Sequence, residues 1–146
     1  MGRDLPVGQW TAQSPSLMWP VLSLCTISRA ISCLSPIEPR LLFSGSDDAQ
    51  IHMYDSESNT LAGAMSGHAS WVLSIHVAPD GAAIATASSD RTVRLWDLGM
   101  RAAIQTMSSH NDQVWVVAFR PPGGSSRAGR LASVSDDKSI SLYDFS

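Results

Sequence analysis

GHASWVLSIHVAPDGAAIATASSDRTVRLWD, residues 67–97, decides the fold. Its apolar residues come in short runs. Trp71–Val77 stops at Pro79-Asp80-Gly81, Ala83–Ser88 stops at a polar turn around Asp90, and Thr92–Asp97 closes the stretch. Runs of about five to seven residues rich in β-branched and aromatic types, bounded by turn formers, read as strands. No window sustains the 3.6-residue period of a helix.

The same text occurs on either side. Leu41–Asp55 (LLFSGSDDAQIHMYD) and Leu131–Asp144 (LASVSDDKSISLYD) align with Ile84–Asp97. The turn aspartates Asp48, Asp90 and Asp137 are 42 and 47 residues apart, and so are the closing pairs Tyr54-Asp55, Trp96-Asp97 and Tyr143-Asp144. His68 and His110 repeat the 42. The five extra residues fall in Pro121–Arg130 (PPGGSSRAGR), a loop by composition. Val114–Phe119 repeats the first strand, Ser28–Leu34 before Ser35-Pro36 is its counterpart in the earliest repeat, and Leu61–Met65 and Ala102–Met107 supply fourth strands. The repeats therefore run over 28–65, 66–107 and 108–146, preceded by a divergent extension, 1–27. Four short antiparallel strands per repeat of this length is the blade of a β-propeller.

Within a repeat the polar residues form a plausible chain of hydrogen bonds. In the middle repeat Asp90 accepts from the His68 imidazole, which meets a hydroxyl, Thr86 or Ser88, that in turn meets the indole N–H of Trp96. The third repeat offers His110, Ser133 or Ser135, Asp137 and Tyr143. The first offers Ser44, Ser46, Asp48 and Tyr54, with Thr26 or a neighbour in the histidine's place. A tyrosine has no indole N–H, so the networks at Tyr54 and Tyr143 are expected to be weaker. Ser, His and Asp are also the residue types of a nucleophilic triad. That reading is set aside because the same set is built twice in tandem, and no catalytic residue is assigned.

Gly-His followed by Trp-Asp at this spacing resembles the WD-repeat (WD40) propellers, well over residues 41–146 and weakly over 28–40. GHASWVLSI (67–75), DQVW (112–115), SDDKSISLYD (135–144) and the insertion within 121–144 resemble one branch more narrowly. That branch is the WD-repeat subunits shared by the Ski complex and the polymerase-associated-factor elongation complex. The resemblance implies an all-β, partial WD-repeat propeller of about two and a half to three four-stranded blades, from a parent fold of seven. It also implies a non-catalytic scaffold whose partners are other proteins, in the nucleus and the cytoplasm, serving transcription elongation, histone methylation, flowering control and exosome-linked mRNA decay. The alternatives are a generic adaptor, such as a ubiquitin-ligase substrate receptor, and a truncated, non-functional fragment. Seven repeats need roughly 290 residues, and the 146 present suggest a truncated isoform whose uncovered blades self-associate. Val72, Ile75, Val77, Val114, Val117 and Phe119 are the expected exposed apolar residues.

Trp71 and Gln113 each fall three residues after the repeat histidine, at the end of the blade where partners would dock, and Trp71 is equally readable as core. Trp115 is a further partner-binding candidate, although its position favours the core. Arg91, Arg94 and Arg101 are expected to be solvated or paired with Asp90, Asp97 or neighbours. Net charge is −3, and the ten Lys and Arg form no stripe, which argues against direct binding of nucleic acid. Cys25 and Cys33 lack companions at ligand spacing and read as free thiols, so no metal or cofactor is expected. Ser16–Ile27 is apolar but interrupted by Pro20 and too short to span a bilayer, so no membrane attachment is expected.

Overall fold

The computed structural model describes residues 28–34, 41–121 and 129–145, the first of these as backbone. The extension 1–27 with Cys25 and Thr26, the Cys33 side chain and the heart of the insertion, 122–128, lie outside the described residues. Among the described residues, eleven strands form three antiparallel sheets. The first holds β1 (Ser28–Leu34), β2 (Leu41–Ser46), β3 (Gln50–Asp55) and β4 (Thr60–Ser66). The second holds β5 (Val72–Val77), β6 (Ala83–Ser88), β7 (Val93–Asp97) and β8 (Ala102–Met107), and the third β9 (Val114–Phe119), β10 (Gly129–Ser135) and β11 (Ile140–Phe145). Within each sheet the strands pair in chain order, and β5 lies between β1 and β9. This is the all-β, partial propeller that the repeats implied.

The turns explain why aspartate recurs. Ala49, Arg91 and Lys138, each directly after a repeat aspartate, have φ of 67°, 70° and 66°. Left-handed backbone is costly for residues with a Cβ. Each aspartate offsets that cost by accepting a backbone N–H two residues on, from Gln50, Thr92 or Ser139, at 2.9 Å.

Two apolar seams hold the sheets together. Phe43, Ile51, Met53 and Met65 of the first sheet meet Val72, Ile75, Val77, Ile84 and Trp96 of the second. One register on, Ala85, Ala87, Val93, Leu95 and Met107 meet Val114, Val117, Phe119 and Leu131. Polar contacts follow the second seam: the Val117 amide donates to Ser74 Oγ at 3.4 Å and the Phe119 amide to His76 Nδ1 at 3.2 Å. Burial holds the His76 imidazole below its ordinary pKa, so Nδ1 stays available as an acceptor.

These seams overturn one expectation. Val72, Ile75, Val77, Val114, Val117 and Phe119 are all buried, because each faces back onto the preceding sheet. The exposed apolar residues of the third sheet are on its other face: Val116 and Val134 together with Ile140 and Leu142. Alternation alone gives two faces per strand and does not say which of them a neighbour covers.

Candidate functional site

The repeat histidines are placed by the loops before β5 and β9 and reach under the turns that follow β6 and β10. His68 Nδ1 lies 2.8 Å from Asp90 Oδ2, and its Nε2 lies 2.6 Å from Thr86 Oγ1. Trp96 Nε1 donates to the same hydroxyl at 2.9 Å. A proton-by-proton assignment is consistent: indole to hydroxyl, hydroxyl to imidazole, imidazole to carboxylate. The Asp90 carboxylate also accepts from the Ala69 amide at 3.0 Å and the Thr92 hydroxyl at 2.6 Å. Burial would raise its pKa, but the hydrogen bonds from His68, Thr92 and Ala69 outweigh that and hold it well below the usual carboxylate range.

In the third sheet His110 bridges Asp137 at 3.0 Å and Ser133 Oγ at 2.7 Å. Tyr143 takes the place of the indole: its Oη lies 3.3 Å from Ser133 Oγ, longer than the Trp96 bond in the second sheet. The Ser139 hydroxyl and the Asn111 amide, with His110 adding to them, lower the Asp137 pKa against the opposing effect of burial. In the first sheet Asp48 takes His52, four residues on and 3.1 Å away, a partner that the sequence reading did not anticipate. Burial opposes ionisation of Asp48, and the Gln50 amide with His52 overcomes it, so its pKa too is lowered. Ser44, Ser46 and Tyr54 are buried in the same β2–β3 hairpin, and Ser46 Oγ accepts the Asp48 amide at 3.3 Å.

Ser88 and Ser135 have a different task from Thr86 and Ser133. They donate to the Ser70 and Asp112 carbonyls, at 3.2 and 3.0 Å, and accept the amides of Asp90 and Asp137. The loops before β5 and β9 are thus stitched to the turns. The connectivity Asp137–His110–Ser133 is that of a hydrolase triad, and access decides its use. Ser133 is 1% exposed and Thr86 fully buried, so neither hydroxyl can meet a substrate carbonyl. Among the described residues, no three His, Cys, Asp or Glu side chains gather as a metal site.

A family model, described as WD domain, G-beta repeat, matches residues 59–97 and 101–144. The chain belongs to the WD40 family. It is 75% identical over 113 residues to the WD repeat-containing protein VIP3 of Arabidopsis thaliana, across 77% of this chain and 35% of that protein. It is 35% identical over 97 residues to the Superkiller complex protein 8 of Dictyostelium discoideum, across 65% of this chain and 31% of that one. Over 98 residues it is 30% identical to a Striatin homolog of the same organism, across 64% of this chain and 12% of that protein. The chain therefore spans about a third or less of each of these WD40 relatives.

In WD40 terms the loops stitched by Ser88 and Ser135 carry the partner-binding candidates. Trp71 and Gln113 hold equivalent places: the Trp71 carbonyl accepts from Ser89 and that of Gln113 from Asp136. Trp71 is 44% exposed and Gln113 half-buried. Trp115, which the sequence favoured as core, is also 44% exposed. The pairing of β9 with β10 slips there, with Val114 opposite Ser135 and Val116 opposite Val134. A residue in such a bulge leaves the ladder and is turned off the packed face. Arg91 and Arg101 are exposed, as expected. Arg101 reaches back to the Ala62 carbonyl of the first blade at 3.3 Å. Arg94 lies with Trp96 over Gly67, where an added Cβ would meet them at 2.8 and 3.0 Å.

Proposed function

We propose that this WD40 chain is a non-catalytic protein-interaction scaffold, and that it serves the two assemblies its narrower resemblance implies. These are the polymerase-associated-factor elongation complex, with its link to histone methylation and flowering control, and the Ski complex of exosome-linked mRNA decay. The carrying observation is the 75% identity to the WD repeat-containing protein VIP3, supported by the similarity to Superkiller complex protein 8. The site chemistry supports the same reading. The repeated polar sets are internal ties, whereas the loop before β5 and the start of β9 display Trp71 and Trp115, large amphipathic anchors of the kind that dominate protein interfaces. The scaffold works in both nucleus and cytoplasm and needs no cofactor, metal, membrane or direct contact with nucleic acid.

Affinity capture with the tagged chain from plant nuclear and cytoplasmic extracts tests this reading, with Trp71→Ala and Trp115→Ala as companions. The expected result is recovery of elongation-complex subunits from the first and Ski subunits from the second, reduced in the tryptophan variants. Recovery of ubiquitin-ligase subunits instead, or of neither set, overturns it.

A further inference from the structure

The end of the blades opposite Trp71 carries a groove that the interaction surface described above does not use. It lies between the second and third sheets, holds about 590 Å³ and opens beside the β5–β6 and β7–β8 turns. Leu95, Ile104 and Phe145 give it apolar walls. Asp80, Asp97 and Asp144 are its ionisable residues, and among the described residues no lysine or arginine lines it. Each carboxylate is oriented through Oδ1, by the Ala82 amide, the Met100 amide and Arg130 Nε at 3.0, 2.8 and 2.6 Å, which leaves Oδ2 for a further donor. Arg130 offsets one of the three charges, and the lining stays negative through Asp80 and Asp97. The Leu98 amide donates to the Ala82 carbonyl at 3.1 Å and so brings the turns that carry these two side by side.

The wall on the third sheet is fixed in advance. The Phe145 ring packs edge-on against Phe119 at 5.5 Å and lies over Gly129, where a Cβ would have no room. A preformed wall spares a ligand the cost of ordering it.

The first seam shows what class of group such a groove holds. Gln105 pairs with Leu95 as Gly63 pairs with Met53, so the two stretches are the same place in successive blades. At Gly63 the space is taken by the Arg101 guanidinium, whose Nη1 donates to the Ala62 carbonyl at 3.3 Å and would stand 3.0 Å from an added Cβ. In the second groove Gln105 replaces that glycine. An arginine in the pose of Arg101 would press on its side chain, so a cation enters here from the open side.

Carboxylates above apolar walls suit a guanidinium better than an ammonium. The guanidinium is weakly hydrated, bonds a carboxylate through two N–H groups at once and lies readily on aromatic surface, while its stem covers apolar ground. We infer that this groove binds an arginine on an exposed segment of a partner protein, with the guanidinium on Asp80 and Asp97 and the stem against Ile104 and Phe145. The surface and the chemistry are distinct from those of the tryptophan loops, and neither assembly named above is required.

Nuclear magnetic resonance titration of the full chain with acetyl-Leu-Arg-Leu amide tests it, beside the lysine and citrulline versions of the same peptide. The arginine peptide saturates and shifts the Ile104 methyls, the Gln105 amide and the Phe145 ring. It binds at least about tenfold more tightly than the citrulline peptide, which keeps the shape and loses the charge, and more tightly than the lysine one. Asp80→Asn combined with Asp97→Asn keeps both turn bonds and weakens binding at least about tenfold with the melt retained. Asp136→Asn removes a like charge from the β10–β11 turn, at the Trp71 end of the blades, and leaves binding unchanged, as does Trp71→Ala. Equal binding of the citrulline or lysine peptide overturns the inference, as do shifts that never saturate. A loss in Asp136→Asn matching that of the double variant overturns it as a net-charge effect. A loss in Trp71→Ala overturns it too, since the peptide would then sit at the tryptophan loops.

Discussion

The second and third blades carry the same polar relay in different surroundings. The second is enclosed, with its Trp96 side of the sheet against the first blade and its Ala87 side against the third. The third is covered on one side only by the described residues, and its relay ends in the longer Tyr143 contact. The same plan therefore gives a tighter network in one place and a looser one in the other. Both the aromatic, Trp96 against Tyr143, and the neighbouring sheet differ.

The largest test of this contrast is removal of the carboxylates. Asp90→Ala strips His68 of its buried partner and frees the Ala69 and Thr92 groups, and it should cost about 3 kcal/mol. Asp137→Ala should cost less, read from matched denaturant melts, and an equal or larger loss would break the comparison. Crowding at the seams comes next. Gly45→Ala drives a Cβ into Val72 and should destabilise by about 1–3 kcal/mol. Val134→Ala, on the exposed face of the third sheet, should stay within about 0.5 kcal/mol. Removing the last donor sharpens the relay contrast. Trp96→Phe leaves Thr86 short of a partner and opens space in the first seam, costing about 2 kcal/mol. Tyr143→Phe should cost less than about 1 kcal/mol.

The smallest effect is a pH dependence at the second seam. His76 has its pKa depressed in the folded state, so the unfolded chain binds the proton first as pH falls. Its contribution is complete above the ordinary value near 6.5 and is lost as pH drops through the lower folded value. Melts of the native chain should weaken over that interval, whereas His76→Asn should flatten the same stretch. A parallel slope in the two proteins would remove His76 from the seam.

Much of this was legible because the repeat is read in several independent registers. The aspartates, the aromatic–Asp pairs and the Gly-His spacing fixed the blades and nearly every strand boundary. Thr86 and Ser88 were not separable in sequence, being two apart and therefore on one face of β6. Only the approach of His68 selects the first and leaves the second to the Ser70 carbonyl. His52 escaped notice because its bond to Asp48 is local to one turn and has no counterpart at Arg94 or Ser141. Trp115 was misread because a bulge shifts the alternation by one residue, and the apolar faces were exchanged because coverage depends on a neighbour that no single strand encodes.

The central claim is that both imidazole relays are buried structural ties. Proton–nitrogen correlation spectra of the histidine rings test it most directly. The account predicts slowly exchanging Nδ1–H signals for His68 and His110, slower for His68, each lost separately in Asp90→Asn and Asp137→Asn with no ester turnover in any form. Ring protons that exchange freely with solvent at both sites, with Ser133 open to a serine-directed phosphonate, would contradict it.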